Sequence, residues 1–72
     1  MDKVSEELSK RLDTEKFQHQ ERFSKAINLL LTHDEDKEEL IRRIDAGELN
    51  SSGEIIRVAV EMQERRDEED ER

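Results

Sequence analysis

The chain has 72 residues with no cysteine and no proline; 47% of them are charged, 31% are apolar, and the net charge is −8. That length allows one small domain at most, and a chain without cysteine has neither disulfides nor thiolate metal sites. No apolar run approaches the length of a membrane span, so composition points to a cytoplasmic protein with no membrane partner.

The apolar residues are unevenly spread: residues 1–22 hold five and residues 23–62 hold seventeen. Three regions follow: an amphipathic helical extension over 1–22, a compact core over 23–63 and a charged solvated tail over 64–72. So thin a core predicts a homodimer, because small chains bury too little surface alone. Acids and bases balance over residues 1–25, six against six, whereas residues 26–50 carry seven acids and three bases and residues 51–72 eight and four.

In the first region Val4, Leu8 and Leu12 recur every four residues, one stripe of an amphipathic helix. Such a stripe either packs back on the rest of the chain or binds a partner, and Val4, Leu8 and Leu12 are the candidate partner-binding residues. Asp13 or Thr14 is placed to cap a new start. Phe23, Ala26, Ile27, Leu30 and Leu31 then follow helical spacing. The same stretch also alternates, since Ile27, Leu29 and Leu31 interleave with Asn28, Leu30 and Thr32, the period of a half-buried strand. Local propensity favours helix there; only tertiary context would impose a strand.

Thr32 or Asp34 is expected to cap a third helix, which turns Leu40, Ile41 and Ile44 inward and stops at Gly47, a residue that tolerates left-handed geometry. Ser51 and Glu54 have capping-box spacing for the last helix. Ile55, Ile56, Ala59 and Met62 form its expected buried face. The core or dimer residues are therefore Ile27, Leu31, Leu40, Ile44, Ile55, Ile56 and Ala59, and Ile56→Asp is expected to unfold the chain by burying an unpaired charge. The tail from Glu64 on holds six acids, three arginines and no apolar residue, the composition of solvated helix or disorder.

Chemistry-bearing patterns are few. His19 and His33 lie fourteen residues apart and form no ligand pair at helical spacing. The acidic run at residues 34–39 lacks the central glycine and distal glutamate of a calcium loop, and it lies where acids favour a helix start. No glycine-rich phosphate loop and no nucleophile–base pair is present. The expectation is a non-enzymatic protein with no metal and no cofactor.

Residues 31–66 resemble the ribbon-helix-helix family, especially bacterial antitoxins. The resemblance rests on Leu31-Thr32, then Leu40-Ile41-Arg42-Arg43-Ile44, the bend Ala46-Gly47-Glu48-Leu49-Asn50 and the helix start Ser51-Ser52-Gly53-Glu54-Ile55-Ile56-Arg57-Val58-Ala59. It implies a mainly α, ribbon-helix-helix-like dimer with an N-terminal helical extension, in which residues 26–31 pair as a strand and enter the DNA major groove. The DNA-binding residues it implies are Asn28 and Thr32 on the ribbon, with Ser51, Ser52 and Gly53 holding a phosphate at a helix N-terminus. On that reading the chain is an antitoxin-like transcriptional repressor that binds a protein partner and operator DNA, and Asn28→Ala impairs DNA binding while sparing the fold. Net acidity and the lack of Arg or Lys on the ribbon oppose the DNA function.

A second pattern, Ile44-x-x-Gly47-x-Leu49 ahead of a helix around Ile56, is similar to the sigma-binding region of flagellar anti-sigma factors. It implies the alternative, an all-α bundle of three or four helices with no strand. Its function would be that of an acidic adaptor or inhibitor that binds protein alone.

Overall fold

In the computed structural model, which describes residues 3–17 and 21–70, four α-helices follow one another: α1 (Lys3–Leu12), α2 (Glu21–Leu30), α3 (Asp34–Asp45) and α4 (Ser52–Asp70), with a 3-10 turn at Glu15–Phe17 after α1. Among the described residues there is no strand. The all-α alternative describes this architecture, and the ribbon expected at residues 26–31 is corrected to helix.

The reason lies in how α2 divides its apolar residues. Ile27 and Leu31, four apart, are both buried, while Leu29 between them is 72% exposed. A strand would have set Ile27, Leu29 and Leu31 on one face. The Leu31 amide still donates to the Ile27 carbonyl at 3.0 Å, so helical bonding runs to the end of the apolar run.

α1 is part of the core. It packs against α2 and α3, while α4 packs against the same two helices from its own side. Leu8 and Leu12 are fully buried beside Ile27, Leu31, Leu40 and Ile55, and Phe17 closes the same cluster after α1, with its ring centroid 6.5 Å from that of Phe23. The division into an extension over 1–22 and a core over 23–63 therefore gives way to one core fed by both. Buried polar links reinforce the docking. The Lys37 Nζ of α3, on a residue only 8% exposed, donates to Ser5 Oγ of α1 at 2.8 Å. One turn on, Asn28 Nδ2 of α2 donates to Ser9 Oγ, also at 2.8 Å. Each link satisfies a polar group that burial would otherwise leave at a cost.

The α3–α4 bend follows the sequence closely. Gly47 has φ +77°, the Gly47 amide donates to the Ile44 carbonyl and the Glu48 amide to the Arg43 carbonyl, both at 3.0 Å. This pair of bonds is a Schellman closure, and Leu49, two residues past the glycine, is buried in the core. Ser51 caps α4: its Oγ accepts the Glu54 amide at 3.2 Å, and the Glu54 carboxylate accepts the Asn50 amide at 2.9 Å. At the start of α3 the cap residue is His33, in extended conformation and without a side-chain cap bond, rather than Thr32 or Asp34.

Helix α4 runs on to Asp70, so the expected solvated tail is helix through most of its length. Arg66 anchors it to α3. Its Nε and Nη2 donate to the two carboxylate oxygens of Asp36 at 3.1 and 3.2 Å, and Nη2 also reaches Glu35 at 3.2 Å. Ile44 and Ile56 depart from the expected core: Ile44 is half-buried at its edge and Ile56 is 46% exposed, while Ile55 and Ala59 are fully buried.

The two isoleucines give a sharp contrast. Ile55→Asp should abolish the cooperative urea transition, because it buries an unpaired charge, whereas Ile56→Asp should shift stability by no more than about 1 kcal/mol. Leu12→Ala should cost about 2–5 kcal/mol, the range for a buried leucine.

Candidate interaction surface

The residues implied as DNA contacts do not converge on one surface feature. Asn28 faces inward from α2, with its Nδ2 shared between Ser9 Oγ and the Ser24 carbonyl and its Oδ1 buried without a partner. Its place is a link between two helices. Thr32 is exposed in the short connection before α3. Ser51, Ser52 and Gly53 do open α4, but the chain's own groups occupy that end. Ser51 Oγ takes the Glu54 amide, and the Glu54 carboxylate lies against the Asn50 amide, so a negative charge stands where a phosphate would have to approach.

The Val4, Leu8 and Leu12 stripe likewise turns inward. Leu8 and Leu12 are fully buried and Val4 is half-buried, which leaves no apolar α1 stripe for a partner. Two shallow depressions mark the surface. One, of about 250 Å³, is lined by Asp36, Met62, Arg65, Arg66 and Glu69. The other, of about 430 Å³, is lined by Lys10, Arg11, Thr14, Lys16 and Ile44. In the first, Arg66 is held by Asp36 and Glu35. In the second, Arg11 Nε and Nη2 donate to the two oxygens of Asp45 at 3.2 Å each, and its Nη1 pairs with Glu7. Arg66 in the first and Arg11 in the second are thus committed to internal ion pairs. Among the described residues no three His, Asp or Glu side chains converge as a metal site, and no helix is long and apolar enough to cross a membrane. His19 lies outside the described residues.

The surface feature that stands apart is the outer face of α4. Glu54, Glu61, Glu64, Asp67 and Glu68 are exposed there, against Arg57 and Arg65. Ile56 at 46% and Val60 at 37% exposure lie along one flank of that face, one turn apart. The Arg57–Glu61 pair is long, at 3.9 Å between two well-exposed side chains, and is therefore a weak tie. Sequence reasoning assigned Ile56 to the core and left Leu29 without a role. A helical wheel holds the signal for both: once Ile55, Ala59 and Met62 define the inner face of α4, Ile56 and Val60 fall to its flank, and Leu29 falls opposite Ile27 and Leu31.

No family model, no curated protein and no solved structure matches this chain.

The clearest electrostatic feature lies on α1. The Arg11 hydrogen bond, followed by the nearby Lys10 charge, holds the Glu7 carboxyl below the ordinary glutamate range. Hydrogen bonds to Asp45 and then Glu7 raise the Arg11 pKa in turn. Because the folded-state value for Glu7 is depressed, its contribution to stability is present above the unfolded-state value and is lost as pH falls through the folded one. NMR titration should therefore find Glu7 protonating later on acidification than an unpaired glutamate. In Arg11→Gln its midpoint should rise back toward the ordinary value.

Proposed function

We propose that this chain is a small acidic protein-binding module, an adaptor or inhibitor in type, that engages a basic protein surface through the outer face of α4. The observation that carries the reading is the make-up of that face: five exposed acids against two exposed arginines, with Ile56 and Val60 open beside them. Mixed acidic and apolar surface suits a partner with Lys and Arg around an apolar patch, where opposite charge speeds encounter and apolar burial supplies the hold. Nucleic acid is a poor match, because phosphodiester binding draws on basic surface and counterion release. The operator-binding reading also needs a paired strand at residues 26–31, which is helical in this fold. The module is proposed as non-enzymatic: the two depressions are shallow, and Arg66 in one and Arg11 in the other are tied into internal ion pairs.

Crosslinking and mass spectrometry in the native cell should join residues 54–69 to a protein of basic surface. Changing Glu61, Glu64, Asp67 and Glu68 together to glutamine should lower that yield at least about tenfold while the helical spectrum is kept. Crosslinks to nucleic acid, or a partner set unchanged by the neutral variant, would contradict the reading.

A further inference from the structure

Among the described residues, the three large apolar side chains most open to solvent are Leu29, Ile56 and Val60. They lie on two helices of opposite local charge. On α2, Arg22, Lys25 and Leu29 recur at i, i+3 and i+7, so they share one face, and all three are exposed. The helix contains a single acid, Glu21 at its first position. Neither Arg22 nor Lys25 has an ion-pair partner among the described residues. On α4, Ile56, Val60, Glu64 and Asp67 recur at i, i+4, i+8 and i+11, so they too share one face, and all four are exposed. One face is apolar and basic, the other apolar and acidic.

We propose that these two faces are mates, and that the outer face of α2 on one copy docks on the outer face of α4 on a second copy. The charge pattern selects the direction of crossing. With the helices antiparallel and Leu29 seated between Ile56 and Val60, Lys25 comes near the level of Glu64, and Arg22, one turn further, lies between Glu64 and Asp67. In the parallel direction the same seat carries Lys25 and Arg22 towards Glu54 and Ser51, and Glu54 is already engaged with the Asn50 amide. The antiparallel crossing is the one that satisfies both cations.

The two faces are different surfaces of one chain, so the contact is head-to-tail. Each added copy leaves one α2 face and one α4 face free, and association continues until a ring closes or the chain runs out. The contact area is small, which makes the association weak and reversible. It is a property of the pure chain and does not depend on the partner proposed above.

Sedimentation equilibrium of the full chain at concentrations up to about 1 mM tests it. Wild type should show a weight-average mass rising steadily above the 8.6 kDa of one chain. Leu29→Gln alone and the double variant Ile56→Gln, Val60→Gln alone should each stay at the single-chain mass. An equimolar mixture of the two should reach twice that mass and stop, because one supplies an intact α4 face and the other an intact α2 face. Glutamine is a good helix former and the sites are exposed, so circular dichroism should be unchanged. Arg22→Glu with Lys25→Glu should act as Leu29→Gln does, without touching an apolar residue. Wild type at the single-chain mass throughout overturns the proposal. So does a mixture that stays at the single-chain mass, or self-association of Leu29→Gln alone, since α4 would then be pairing with itself.

Discussion

Burial of Leu8 and Leu12 against α2 and α3 is the contact on which the rest of this structure depends. The later helices alone would offer a thin core, and the first helix completes it with two fully buried leucines and, just beyond, Phe17. Removing a leucine from such a site costs about 2–5 kcal/mol, a large share of what a domain this size commands. The polar links follow from the same docking. Ser5 meets Lys37 and Ser9 meets Asn28 only because α1 lies close against α3 and α2. Once α1 is inside, a second copy is not needed to cover the core residues, which are buried within one chain.

That arrangement decides which surfaces remain for function. With the α1 stripe buried, the exposed large apolar side chains among the described residues are on α2 and α4, and each is set among charges of one prevailing sign. Arg66 matters here because its bidentate hold on Asp36 fixes the distal part of α4 to α3. Planar, paired donors make that a more directional tie than a single surface contact. The acids at Glu61, Glu64 and Glu68 are therefore carried on a supported helix rather than a loose tail. Chain self-association and partner binding would draw on the same α4 face, so a partner of higher affinity would cap the growing chain.

Much of this was legible from the residues. The turn at Gly47 and the Ser51–Glu54 cap are short-range patterns, set by the backbone needs of neighbouring residues, and the bonds form where the spacing places them. In α2 residues 26–32 satisfy two periods; local propensity favours helix, and only the family resemblance asked for a strand. Packing takes the helical period, burying Ile27 and Leu31 and turning Leu29 out. The fate of Leu8 and Leu12 was open, since a two-leucine stripe looks the same whether it meets its own chain or another. Arg66 with Asp36 joins residues thirty apart, and no local pattern announces such a pair. Asn28 and Ser51 were assigned to DNA through the ribbon-helix-helix resemblance, yet their side chains are engaged by the chain's own groups.

Native-state amide hydrogen exchange is the most direct test of the central claim that α1 belongs to one cooperative core. The amides of Leu8 and Leu12 should be protected to within about tenfold of those of Ile55 and Ala59, because elements that unfold together exchange together. Exchange of α1 near the rate of an open chain, with α4 still protected, would contradict the account and return Leu8 and Leu12 to the surface as a site for a partner.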